Sequence, residues 1–116
     1  MGKYKLVVLS NATKGREEEY NDWYSNQHLD DVVAIPGFAS ALRLKHLTPV
    51  AGDYEHKYIA IYDIDADDPQ AAVQALTDTA SAGMFISESL DLDNLKCAVF
   101  EVCSSEVTAP KEKTPA

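Results

Sequence analysis

The order in which the hydrophobic period changes along this chain is its tightest constraint. Tyr4 to Ser10 is a short apolar, β-rich run that ends in the loop Asn11-Ala12-Thr13-Lys14-Gly15, and it reads as a strand. From about Arg16 the period lengthens. Tyr20, Tyr24, His28 and Val32 recur at every fourth residue, as on the inward stripe of an amphipathic helix. Glu17, Glu18 and Glu19 fall in its first turn, where negative charge suits the helix dipole. The helix is expected to reach about Ala34, where Pro36 stops it and Gly37 permits the turn. Phe38 to Thr48 and His56 to Asp65 return to a strand period. The loop Pro49-Val50-Ala51-Gly52-Asp53 between them is rich in turn residues, so the two form an antiparallel hairpin. Asp68-Pro69 then supplies an N-cap and a first helical residue. Ala72, Val73, Leu76 and Ala80 give this second helix its apolar face, and Gly83 ends it. Met84 to Leu90 is expected to make a short helical turn, and Leu95 to Ser104 the last strand.

The order β-α-β-β-α-β predicts an α+β protein of the ferredoxin-like kind. It has a four-stranded antiparallel sheet with two helices on one face. The other face of that sheet needs an explanation. The second strand alternates Phe38, Ser40, Leu42 and Leu44 against Ala39, Ala41, Arg43 and Lys45. The third sets Tyr58, Ala60 and Tyr62 against Lys57, Ile59 and Ile61, and the fourth sets Cys97, Val99 and Cys103 against Ala98, Phe100 and Val102. A sheet with one wet face shows clean polar alternation. Here both faces carry apolar side chains, so a second copy is expected to cover the face the helices leave bare, giving a symmetric homodimer through the sheet.

At 116 residues the chain is one domain, placed over residues 1–105, with a flexible C-terminal tail over 106–116. With 46% hydrophobic and 25% charged residues it has the composition of a soluble protein. No apolar run approaches the roughly 20 residues that span a bilayer, and no secretory pattern is evident, so the expected location is cytoplasmic. Nineteen acidic residues against ten basic ones leave a net charge of −9. That argues against nucleic acid, whose phosphates must be neutralised by Lys and Arg, and against anionic membrane surfaces.

Cys97 and Cys103 lie on one expected strand, roughly 20 Å apart at about 3.3 Å per residue. That is too far for a disulfide, and both read as reduced thiols filling space. No Cys-x-x-Cys favours zinc. Asp63-x-Asp65-x-Asp67 imitates a calcium loop, but Asp68 and Gln74 stand where glycine and glutamate are required. His46 and His56, placed opposite each other near the hairpin tip, lack a third ligand. No metal and no cofactor is therefore expected.

His28 is a polar ring on an aromatic stripe. It is either a core histidine with a satisfied hydrogen bond or the acid/base group of a pocket. An imidazole can accept and return a proton near neutral pH, and burial would keep it neutral. Tyr24 lies one turn earlier, where its hydroxyl could orient the imidazole or a ligand. Trp23, Tyr58 and Tyr62 suit either a core or a pocket lining. Arg43 could hold an oxyanion or a carboxylate. Asp30 and Asp31 sit at the helix end that disfavours negative charge, and Asp31 could orient a neighbouring side chain.

The run Trp23-Tyr24-x-x-x-His28-Leu29-x-Asp31-Val32 is followed by Ile35-Pro36-Gly37-Phe38, by Ser40-Ala41-x-Arg43 and by Tyr58-Ile59-Ala60-Ile61-Tyr62-Asp63. Together these resemble the EthD-like branch of the dimeric α/β-barrel proteins, over roughly residues 3–104. The resemblance implies protomers paired through their sheets, a small-molecule pocket between sheet and helices, and His28 in the place of the family's first-helix histidine. The wider superfamily includes cofactor-free monooxygenases, polyketide cyclases and isomerases. The expectation is cofactor-free proton-transfer chemistry, of isomerase, cyclase or lyase type, on a small hydrophobic, aromatic or carbonyl compound. His28 and Tyr24 would be catalytic, with Trp23, Arg43, Tyr58 and Tyr62 binding substrate. The alternatives are a cofactor-independent monooxygenase, or a non-catalytic small-molecule-binding or stress-response protein.

Overall fold

The computed structural model describes residues 3–112. Four strands, β1 (Tyr4–Ser10), β2 (Phe38–Lys45), β3 (Tyr58–Ile64) and β4 (Lys96–Glu101), form one antiparallel sheet in the order β2-β3-β1-β4. Between β1 and β2 the chain is helical in three consecutive pieces: α1 (Glu17–Trp23), a π-helical turn (Tyr24–His28) and α2 (Leu29–Val33). The second crossover is α3 (Pro69–Ser81). Sequence order and strand order together give the ferredoxin-like arrangement that the hydrophobic periods predict.

The helical face of the sheet is the core. Leu6 on β1 and Tyr58, Ala60, Tyr62 and Ile64 on β3 are buried there. They meet Tyr20, Trp23, Tyr24 and Val32 from the first crossover and Ala72 from α3. Each fully buried large side chain contributes about 1.5–3 kcal/mol relative to exposure, so this aromatic-rich layer dominates the stability of the domain. Asp68 caps α3 as expected, accepting from the backbone N–H of Gln70 at 3.0 Å with Pro69 behind it. Of the apolar face expected for α3, Ala72 is buried and Val73 and Leu76 are half-buried, but Ala80 is exposed. Residues 77–81 at the end of α3 are all exposed, so Ala80 has nothing to pack on.

Gly37 ends the first crossover at φ +98°, in the left-handed region. A Cβ there would stand 2.9 Å from the Cβ of Ala72. Glycine is therefore needed twice over, for its backbone angle and for the approach of the turn to α3.

Phe38 is not on the side of β2 that strict alternation gives it. It pairs with Ile64, while Ser40 pairs with Asp63, so Ala39 is an extra residue in a β-bulge. The bulge swaps the parity. Phe38 joins Ala41 and Arg43 on the helical face, and Ser40, Leu42 and Leu44 face the other way. Sequence alternation could not see this inserted residue.

The bare face carries Leu42 (60% exposed), Leu44 (45%) and Phe100 (56%). Val7, Leu9, Ile59 and Ile61 lie beside them by register. At one end of this face Lys5 pairs with Asp63, which also accepts from Ser40. A shallow pocket of about 240 Å³ opens along β1 and β4, lined by Val7, Leu9, Ala98 and Phe100 among others.

Three further expectations need correction. Met84 to Leu90 makes no helical turn. It is irregular, held by the Ser87–Ser89 hydroxyl pair (2.7 Å), the Thr13 N–H to Ser89 carbonyl bond (2.6 Å) and the Ala12–Leu90 bridge. Cys97 and Cys103 are free but exposed, so neither fills core space. His56 is buried, with its Nε2 2.7 Å from the carbonyl of Asn94, while His46 stacks on Tyr54. The two histidines are thus engaged apart, and among the described residues no group of three His, Cys, Asp or Glu side chains could hold a metal. Strands β2, β3 and β4 are also shorter than the runs that predict them. No helix of the described residues is long and apolar enough to cross a membrane. Residues 102–112 are exposed, and the end of the tail expected over 106–116 lies outside the described residues.

Candidate functional site

The expected site residues gather around the π-helical turn. At Leu29 the backbone N–H bonds to the carbonyl of Tyr24, five residues back instead of four. The wider turn brings positions five apart into register. Trp23 and His28 are such a pair, and their rings stack at 4.6 Å with an interplanar angle of 27°. Tyr24, four residues before His28, meets it edge to face at 4.9 Å. An unbroken α-helix would hold only Tyr24 against His28. The π-turn swings His28 against Trp23 as well, so the imidazole sits in an aromatic corner.

His28 is half-buried, and its Nδ1 is buried without a hydrogen-bond partner. Burial holds its pKa down at about 4, with the nearby Asp31 carboxylate opposing that shift. The ring is thus neutral at physiological pH and carries one acceptor nitrogen. The satisfied core histidine, bonded to a carbonyl or tyrosine through this nitrogen, is not what the structure shows. Trp23 Nε1 is likewise buried and unpartnered.

Tyr24 is 2% exposed. Burial raises its pKa well above that of a free phenol, and the neighbouring Tyr62 adds to the rise. It stays protonated across the working range. Tyr62 donates to the Tyr24 hydroxyl at 3.2 Å, which leaves the Tyr24 proton available to a further acceptor. Burial pushes Tyr62 up to about 12.

The flank of the first crossover that carries Trp23 faces the segment after α3. Phe85 meets Trp23 edge to face at 6.5 Å. Beside it lies a pocket of about 300 Å³ lined by Asp31, Ala34, Thr79, Met84 and Phe85. His28 does not line this pocket. Trp23 joins them, with His28 against one part of its ring and Phe85 against another.

Arg43 and Tyr58 lie on the opposite flank, towards β2 and β3. The guanidinium carbon of Arg43 is 4.7 Å from the ring centre of Tyr24, 4.9 Å from Tyr58 and 5.2 Å from Tyr20. Arg43 donates to Ser25 Oγ at 2.7 Å and to Asn21 Oδ1 at 3.0 Å. Asn21 in turn donates to the Tyr58 hydroxyl at 3.0 Å, and that hydroxyl donates to Glu17 at 2.5 Å. Glu17 also pairs with Lys57, and these two bonds hold its carboxyl below the usual range. Tyr24 is therefore the partition between two surroundings: His28 and Trp23 on one side, Arg43 on the other. Tyr58 and Tyr62 share a strand face, as expected, but Tyr58 belongs with Arg43.

Asn21, Ser25 and Phe85 did not stand out in the sequence as site residues. Asn21 and Ser25 carried a usable signal, a polar pair four apart beside the aromatic stripe. Phe85 carried none, because it reaches Trp23 only through the tertiary fold.

No protein-family model matches this chain, and no curated protein matches it. Solved structures do. The chain is similar to an EthD (ethyl tert-butyl ether degradation) family protein from Bacillus halodurans, at 18% identity and a TM-score of 0.59, over 84% of this chain and 96% of that one. It is similar to a candidate monooxygenase from Shewanella loihica at 16% identity and a TM-score of 0.58, over 88% and 95%. It is also similar to the heme-degrader MhuD from Mycobacterium tuberculosis, whose structure holds two hemes in its active site, at 20% identity and a TM-score of 0.60, over 90% and 99%. At these identities the likeness is one of fold. The chain has the ferredoxin-like fold of the dimeric α/β-barrel proteins, as its sequence motifs imply.

Proposed function

We propose that this protein is a homodimeric enzyme that moves a proton on a small, largely apolar carbonyl compound, with His28 as the base. The observation that carries the reading is the buried, unpartnered Nδ1 of an imidazole kept neutral by its surroundings. A base must be unprotonated before it acts, and an acceptor already bonded within the protein is poorly placed to take a proton from a ligand. Tyr24, held protonated, supplies a hydroxyl that can donate to an oxygen on which negative charge develops. Trp23 is proposed to contact substrate beside His28, with Tyr62 fixing the Tyr24 hydroxyl. The exposed apolar sheet face supports pairing with a second copy. The cytoplasm remains the proposed location.

The reaction class is isomerisation, cyclisation or elimination, each of which begins by removing a proton next to a carbonyl. Cofactor-independent monooxygenation is the second reading, since it starts from the same deprotonation. The name carried by one structural neighbour, a candidate monooxygenase, favours oxygenation in general.

The test is deuterium uptake at the α-carbon of a panel of small aryl ketones in D₂O, followed by NMR. The wild type is expected to catalyse exchange. His28→Gln should lose it by about 100-fold or more while melting within about 5 °C of the wild type. Exchange that survives in His28→Gln sinks the assignment. A wild type that binds these ketones without exchanging them is a non-catalytic binder.

A further inference from the structure

We infer that Arg43 and the three tyrosine rings around it form a recognition site for a small organic carboxylate. This goes beyond the proposed role of His28 and does not rest on it. The chain carries nineteen acidic residues against ten basic ones, yet among the described residues none of the salt bridges involves Arg43. Glu17, on the same flank, is engaged by Lys57 and Tyr58. Asp22, on α1, accepts from Asn26 instead.

The guanidinium is held in place but carries no counter-charge among the described residues. Three ring faces fix its place. Two neutral acceptors, Ser25 Oγ and Asn21 Oδ1, occupy its two terminal nitrogens, and Nε is buried with no partner. A carboxylate's charge makes its bond to the guanidinium stronger than the neutral bonds in place. Ser25 is exposed, so an anion reaches Nη1 by displacing it, while Asn21 keeps Nη2. One arginine balances one negative charge. Phosphate would need further donors, and Asn21's amide and Lys57 are already used.

Calorimetric titration of the full chain with sodium benzoate, benzamide and sodium phosphate tests this. Benzoate is expected to bind about tenfold more tightly than benzamide and more tightly than phosphate. Arg43→Gln should remove the preference for benzoate. Ser25→Glu changes an exposed position and supplies the fork with a carboxylate of its own, so it should lower benzoate affinity about tenfold even if Arg43→Gln fails to fold. Equal binding of benzoate and benzamide, no benzoate binding, phosphate binding as tight as benzoate, or Ser25→Glu without effect each overturns the assignment. The readout is binding alone, so it is separate from the α-proton exchange assay.

Discussion

Acidification should unfold this protein partly through His28, by an amount the structure sets. In the unfolded chain the imidazole titrates near 6.5, and in the native chain near 4. Above about pH 6.5 both states hold it neutral, and it adds nothing to the pH dependence. Between the two values the unfolded chain takes up a proton that the native chain refuses, so stability falls as pH falls. Below about pH 4 both states are charged and the loss is complete. One pK unit is about 1.4 kcal/mol, so going from about pH 7.5 to about pH 4.5 should cost about 2.5 kcal/mol through this ring alone. The rest of the chain contributes its own pH dependence. The measurement is therefore a difference: urea unfolding of wild type and His28→Gln at a series of pH values. Removing the ring's stacking on Trp23 shifts His28→Gln by a constant, while the pH-dependent part belongs to the imidazole. The gap between the two proteins should change by about 2.5 kcal/mol across that range in favour of the variant at low pH. A gap that stays constant to within about 0.5 kcal/mol would mean that native His28 protonates as freely as in water. His28 would then not be waiting as a neutral base.

Three other outcomes follow from the packing. Gly37→Ala should lose about 2–3 kcal/mol in chemical denaturation, since it adds a methyl 2.9 Å from Ala72 at a positive φ; a loss below about 0.5 kcal/mol would show that the turn can move away from α3. Tyr62→Phe keeps the ring and removes the hydroxyl that donates to Tyr24, and should cost about 1 kcal/mol in the same assay. Leu42→Glu places a charge on the bare sheet face, on the edge strand β2. Light scattering should show a dimer for the wild type and a monomer for the variant, and a monomeric wild type would refute the pairing.

The element order was legible because each piece has its own hydrophobic period, and because Pro36-Gly37 and Asp68-Pro69 mark boundaries with local chemistry. His28, Tyr24 and Trp23 were legible as neighbours because helix geometry fixes positions four or five apart. Two features were not. The bulge at Ala39 leaves no mark in an apolar run whose two parities look alike, so strict alternation puts Phe38 with Leu42 instead of with Arg43. The π-turn is a tertiary compromise: Tyr20, Trp23 and Tyr24 share one α-helical face, but Val32 would turn about 120° away from Tyr20 in an unbroken α-helix. Tertiary burial of both ends outweighs the local preference for i−4 bonds. The cluster around Arg43 was legible in its arginine and tyrosines. Asn21 and Ser25 joined it only when β2 was laid against α1.

The π-turn also sets the phase of the helix on either side of it. Residues 17–23 and 29–33 each follow α-helical geometry, but they are offset from each other by one residue. Each residue advances an α-helix by about 100°. Straightening the turn into an ordinary α-helix with every residue kept would rotate one half against the other by that angle, and Tyr20 and Val32, which are both buried, could then no longer point into the same core. Deleting one exposed position in the turn, such as Asn26, would instead close it to an ordinary helix with the two halves still in phase. The wide turn thus keeps the two halves facing one core while it sets the imidazole against Trp23 as well as Tyr24.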